Sequence, residues 1–258
     1  MTNLLLRALL IASLGTAACW DSSTTAGGPD ATPIPDVTND FDDETTYVYG
    51  SIILSVPGSF SFETVPGVQV CLQSHPELPC VTSDDDGAYR IDGIPADTEI
   101  VLSAQKSGVM GGATQTRTVP SGGQEMLLIV TDEVAAAALV RPLGYEFPMV
   151  GVGMVRFRFR KYSGGGLNGA VISANVGDVI YTGSGSIPDP DLTSSRRGDG
   201  MIFEVPVGEV TLDVVADGYR CNLGDMGAFP GANENQVRAV VHENTLTRVD
   251  VTCAAYAD

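Results

Sequence analysis

Val155-Arg156-Phe157-Arg158-Phe159-Arg160 alternates apolar and basic side chains without a break. Period two is the mark of a strand, because successive side chains on a pleated chain point to opposite faces. Phe157 and Phe159 are therefore assigned to a core. Arg156, Arg158 and Arg160, followed by Lys161, are assigned to water. The same texture continues downstream at residues 169–174, 179–182, 201–205, 209–216, 236–241 and 245–253. In the last of these, Leu246, Val249 and Val251 are read as apolar partners, with Arg248, Asp250 and Thr252 between them. Upstream it appears at residues 47–54, 67–72, 81, 88–91, 99–104, 114–119 and 125–131. The runs are short, rich in Val, Ile and Thr, and divided by Gly, Pro and Asp clusters. Short strands with regular turn signals argue for an all-β chain built as β-sandwiches.

Composition agrees. The chain has 258 residues, with 30 Gly and 15 Pro, and is 43% hydrophobic and 18% charged. That is a globular, turn-rich profile. The formal charge is −18. A chain this acidic repels phosphate backbones, so no nucleic-acid partner is expected. Two His in the whole chain leave little for His-based catalysis.

One helix is expected. Asp132-Glu133-Val134-Ala135-Ala136-Ala137-Ala138-Leu139-Val140-Arg141 holds four consecutive Ala, acids at its start and Pro142 just beyond its end. It divides the chain into a first sandwich at 47–131, a helical linker at 132–148 and a second sandwich at 149–258. Each half, with its own core, is expected to fold alone.

The halves read as divergent copies. Pro66-Gly67-Val68 matches Asn168-Gly169-Ala170. Asp86-Gly87-Ala88-Tyr89 matches Asp199-Gly200-Met201-Ile202, each with its glycine assigned to a turn at positive φ. Ile94-Pro95-Ala96 matches Val205-Pro206-Val207-Gly208, and the next strands end at Gly108 and at Gly218-Tyr219. This run resembles the carboxypeptidase regulatory-like family, in two tandem copies. The resemblance implies a transthyretin-like, immunoglobulin-like β-sandwich and almost no chemistry, because the shared motifs are turns and core positions. The first copy departs from the pattern in lacking Gly after Pro95.

At the N-terminus Arg7 precedes an apolar run at 8–14, and Gly15-Thr16-Ala17-Ala18 leads to Cys19. This is the layout of a secretory signal peptide. The apolar run is too short to span a bilayer as a helix. Residues 1–19 resemble a bacterial lipoprotein signal, in which the Cys becomes the lipid-carrying first residue, with Thr16 where an aliphatic is usual. The implied location is the cell envelope, anchored to a bacterial membrane at the outer membrane or cell surface. Ordinary cleavage, giving a secreted or periplasmic protein, is the alternative. Residues 20–46 form an acidic tether too poor in apolar residues to build a core. Setting Cys19 aside leaves Cys71, Cys80, Cys221 and Cys253, expected to pair locally as Cys71–Cys80 and Cys221–Cys253.

Catalytic pieces are scarce. His75 and His242 form no metal-binding motif, and no GxSxG elbow occurs. Asp84, Asp85 and Asp86 overlap the start of a calcium loop, but Gly93 stands where its bidentate Glu belongs. They read as a solvated turn, with a loose calcium site as the alternative and no other cofactor. Arg156, Arg158, Arg160 and Lys161 read as a solvated edge that discourages aggregation, with a partner-binding face as the alternative. The stretch after Val155 also resembles collagen-adhesin B-type domains, which implies a Lys161–Asn244 isopeptide bond with Glu204 beside it. The expected function is a non-catalytic envelope lipoprotein whose modules engage a protein or polysaccharide. A glycan- or solute-binding envelope component, assisted by calcium, is the alternative.

Overall fold

A computed structural model describes residues 45–56, 62–114, 116–183, 187–222 and 233–256. The expected signal, Cys19 and the tether up to residue 44 lie outside the described residues. The tether's last two positions, Thr45 and Thr46, already belong to the first strand.

The first half holds β1 (Thr45–Ser55), β2 (Phe62–Thr64), β3 (Gln69–Leu72), β4 (Val81–Thr82), β5 (Ala88–Pro95), β6 (Thr98–Ile100), β7 (Leu102–Gln105), β8 (Val109–Thr114), β9 (Arg117–Val119), β10 (Gln124–Glu125) and β11 (Leu128–Asp132). Helix α1 (Glu133–Val140) follows and runs into a 3-10 turn at Arg141–Leu143. The second half holds β12 (Val152–Lys161), β13 (Val171–Ser173), β14 (Asp178–Tyr181), β15 (Asp199–Pro206), β16 (Gly208–Val215), β17 (Tyr219–Cys221), β18 (Gln236–Val241) and β19 (Thr245–Ala255). Among the described residues the fold is all-β with one short α-helix. Asp132 caps that helix, its Oδ1 accepting the Ala135 N–H at 2.8 Å.

The pairing scheme recurs. β1 lies antiparallel to β5 and parallel to β11, as β12 lies antiparallel to β15 and parallel to β19. β3 pairs with β7 and β7 with β8, as β13 pairs with β16 and β16 with β18. Each half closes over its own core. The first is built on Val48, Ile52, Val70, Ile91, Leu102 and Leu128. The second is built on Phe157, Phe159, Ile202, Leu212, Val237 and Val249.

The likeness reaches single hydrogen bonds. Buried Ser83 donates its Oγ–H to the Val65 carbonyl at 2.9 Å, and buried Ser195 does the same to Leu167 at 2.9 Å. The Ser83 N–H donates to Val68 and its carbonyl accepts from Gly67. The Ser195 N–H donates to Ala170 and its carbonyl accepts from Gly169. Neither serine stands out in the sequence. One expectation needs correcting here. Gly87 takes positive φ, but its structural counterpart is Gly198, not Gly200: the Gly87 and Gly198 carbonyls accept from Ile52 and Phe159 respectively. Gly200 lies in β15 for another reason. A Cβ there would stand 2.1 Å from Cζ of Phe157, so the missing side chain is room for the ring.

The halves are not separate. β8, which the sequence reading left without a strand, pairs with β7 on one side and runs parallel to β19 from Gly111–Thr245 to Thr114–Arg248. One sheet therefore crosses from β3 and β7 through β8 to β19, β12, β15 and β14. Gly-Gly is poor strand sequence, yet here it permits close backbone approach. A Cβ on Gly112 would stand 2.0 Å from the Ile129 carbonyl oxygen. A third apolar cluster seals the junction, with Met110 of the first half, Ala136 and Val140 of α1, and Met154, Met201 and Phe203 of the second. Leu246 belongs to this cluster's margin, sharing the outer face of β19 with Arg248, while Thr247 turns inward. This corrects the grouping of Leu246 with Val249.

Candidate functional site

The outer face of the β19–β12–β15 layer is arranged in rows. Alternation sends Val155, Phe157 and Phe159 into the core and leaves Met154, Arg156, Arg158 and Arg160 on the other side. Parallel pairing brings β19 alongside in matched register, with Met154 beside Leu246, Arg156 beside Arg248, Arg158 beside Asp250 and Arg160 beside Thr252. On the far side β15 sets Met201 beside Arg156 and Asp199 beside Arg158. The first row, Leu246–Met154, is apolar and lies in the cluster beneath α1. The second holds two guanidinium groups and Met201. The third is Asp250–Arg158–Asp199, and the fourth begins with Arg160.

Charges in the outer rows are matched. The Arg158 Nε stands 3.4 Å from Asp199, Arg248 Nε 2.9 Å from Asp250, and Arg160 Nε 3.8 Å from the other Asp250 oxygen. Arg156 is half-buried and makes no hydrogen bond or ion pair with the described residues. Its pKa is lowered chiefly by burial and further by the charges of Arg248 and Arg158, while Asp199 and Asp250 act against that. Arg117, at the start of β9, is likewise half-buried, with its pKa lowered by burial and Asp250 opposing the shift.

These positions change the reading of the Arg ladder. β12 is hydrogen-bonded on both sides, so the basic residues do not guard an edge strand. Arg156 and Arg158 are half-buried instead of fully solvated. Lys161 has the opposite parity and sits beside Cys253, so it does not extend the row. Arg248, Asp199 and Asp250 also belong to these rows. The signal was present in the alternation of Arg248-Asp250-Thr252, but only the parallel register places it beside β12.

The other candidates are dispersed. Asp84 Oδ1 accepts the N–H groups of Asp86 and Ala88 at 3.0 and 2.8 Å, so that carboxylate organises the hairpin turn. Asp85 and Asp86 are exposed. Among the described residues no group of three His, Cys, Asp or Glu is placed to hold a metal ion. His75 meets Glu77 at 2.9 Å on the surface, and His242 lies in the turn between β18 and β19. Cys71 is bonded to Cys80 and Cys221 to Cys253, the latter pair directly opposed across β17 and β19. The isopeptide reading fails on register. Lys161 sits beside Cys253, whereas Asn244 precedes Thr245 at the other end of β19, where its Oδ1 accepts the Met149 N–H. Among the described residues no helix is long and apolar enough to cross a membrane.

No protein-family model matches the chain, and no curated protein matches it. Solved structures give distant likenesses. The Bacillus anthracis TIE protein is similar over 82% of this chain and 34% of its own, at 14% identity and a TM-score of 0.27. The minor pilin GBS52 of Streptococcus agalactiae is similar over 83% of this chain and 97% of its own, at 10% identity and a TM-score of 0.28. The shaft pilin SpaA of Lactobacillus rhamnosus GG is similar over 83% and 99%, at 12% identity and a TM-score of 0.25. Likenesses this slight carry no argument about ancestry or role.

Proposed function

We propose that the protein is a non-catalytic lipoprotein of the bacterial cell envelope. Its two sandwiches, of the carboxypeptidase regulatory-like kind, hold a binding surface for an envelope protein or polysaccharide. One observation carries the reading. Of the five cysteines, four are joined in two bridges, and the fifth is Cys19, at the end of a signal-like segment. Bridges of this kind persist in oxidising compartments outside the cytoplasm. A lone thiol in an exported protein calls for a use, and lipid attachment at the end of a signal supplies one.

Cys19→Ser tests it. The wild-type chain, expressed in a bacterium, is expected to take up labelled fatty acid and to fractionate with membranes. The variant is expected to lose the label and become soluble. Equal labelling and equal fractionation of the two would overturn the proposal.

A further inference from the structure

Among the described residues, the second row of the outer face holds a cation without an ion pair. Arg156 and Arg248 stand side by side on adjacent strands, with no carboxylate between them in their row. Arg248 leans to Asp250 in the next row, and Arg156 has no such partner. Holding a half-buried cation beside another cation costs stability, which Asp199 and Asp250 in the next row offset only from a distance, without an ion pair among the described residues. The row is bounded on one side by Met154 and Leu246 and on the other by Asp199 and Asp250. Rows on a strand face repeat about every 6.6–6.8 Å. That spacing suits one compact anionic group. A continuous polyanion laid along the strands meets the two aspartates in the next row.

We propose that Arg156 and Arg248 form a binding site for a single oxyanion group, a carboxylate or phosphate ester. Guanidinium groups suit that ligand because their planar N–H forks match two oxygens at once. The proposal rests on the binding-module reading above and names the chemistry that its partner would present.

The test uses the oxidised chain with residues 1–19 removed, so failure of lipid attachment does not affect it. Inorganic phosphate and glucuronate are titrated at constant ionic strength against chloride, with binding read calorimetrically and as a shift in melting temperature. Wild type is expected to bind one equivalent of at least one of the two, and which one binds separates phosphate from carboxylate sources. Arg156→Gln is expected to weaken binding about tenfold or more, the loss of one charged hydrogen-bonding partner. Arg156→Lys keeps the charge and loses the fork, and should fall between. Arg160→Gln, two rows away, should bind as wild type does. Without ligand, Arg156→Gln should melt no lower than wild type, because the cation it removes is half-buried beside Arg248 and makes no ion pair among the described residues. Absence of binding by both anions, or equal binding by Arg156→Gln, would overturn the proposal. So would binding of polyglutamate alone, which would mark the face as a docking surface for acidic protein.

Discussion

Gly200 offers a test whose sign alone decides the packing argument. In an exposed strand, replacing Gly by Ala stabilises by about 0.5–1 kcal/mol, because Gly loses more backbone freedom on folding. The structure reverses that expectation. The new Cβ would stand 2.1, 2.6 and 3.0 Å from Cζ, Cε2 and Cε1 of Phe157. The ring cannot swing aside, since Phe157 is fully buried between Phe159 at 5.2 Å and Tyr181 at 5.8 Å, centroid to centroid. Overpacking of this kind costs about 1–3 kcal/mol, so Gly200→Ala should destabilise despite the backbone gain. Phe157→Leu alone should cost about 1–2 kcal/mol through the cavity it leaves. The double variant should be more stable than the sum of the single losses by about 0.5–3 kcal/mol, because each change relieves the other. Equilibrium denaturation in urea, with both disulfides intact, measures all four corners. A stabilised Gly200→Ala protein, or strict additivity of the two changes, would refute the claim that this glycine exists to seat the ring.

Three further outcomes follow from the same structure. Ser83→Ala and Ser195→Ala should each destabilise by about 1–3 kcal/mol by orphaning a buried carbonyl, with the larger loss at Ser83, whose Oγ also accepts the Val68 N–H at 3.0 Å; a larger loss at Ser195 in urea melts would refute this. Burial lowers the pKa of His242 below its ordinary 6.5, and its buried Nε2 has no hydrogen bond among the described residues. The unfolded chain then takes up the proton first, so stability should fall as pH drops below about 6.5, and His242→Gln should flatten that part of the curve. Cys221→Ala/Cys253→Ala should lose about 3–4 kcal/mol in the chain-entropy account, more than the shorter Cys71–Cys80 loop at about 2.5–3, as read from thermal melts of the two double variants.

Much of the architecture was legible in residue order. The alternation around Phe157, the Ala-rich helix with its Asp132 cap and the local cysteine pairs depend on contacts near in sequence, and they appear where the sequence places them. What escaped is non-local. β8 was hidden because Gly111-Gly112 lowers strand propensity, and its reason for being there is the Ile129 carbonyl and β19. Ser83 and Ser195 were invisible because a serine in a loop gives no sign of burial. The Arg row was half seen. Its β12 members were evident, but Arg248 and Asp250 depend on a parallel register between strands some ninety residues apart, and Asp199 on the antiparallel register of β15.

The crossing of β8 to β19 also has a mechanical meaning. Two sandwiches joined by a loop alone would swivel, and a ligand site on one would wander relative to the start of the other. Here a bend between them must break the ladder from Gly111 to Thr114 and pull Met110 and α1 away from Met154 and Phe203. The pair behaves as a plank. Tension applied between β1 and the Arg row is carried across the seam by hydrogen bonds and packed side chains together. The direction in which the row faces is fixed with respect to the point where the chain enters the fold.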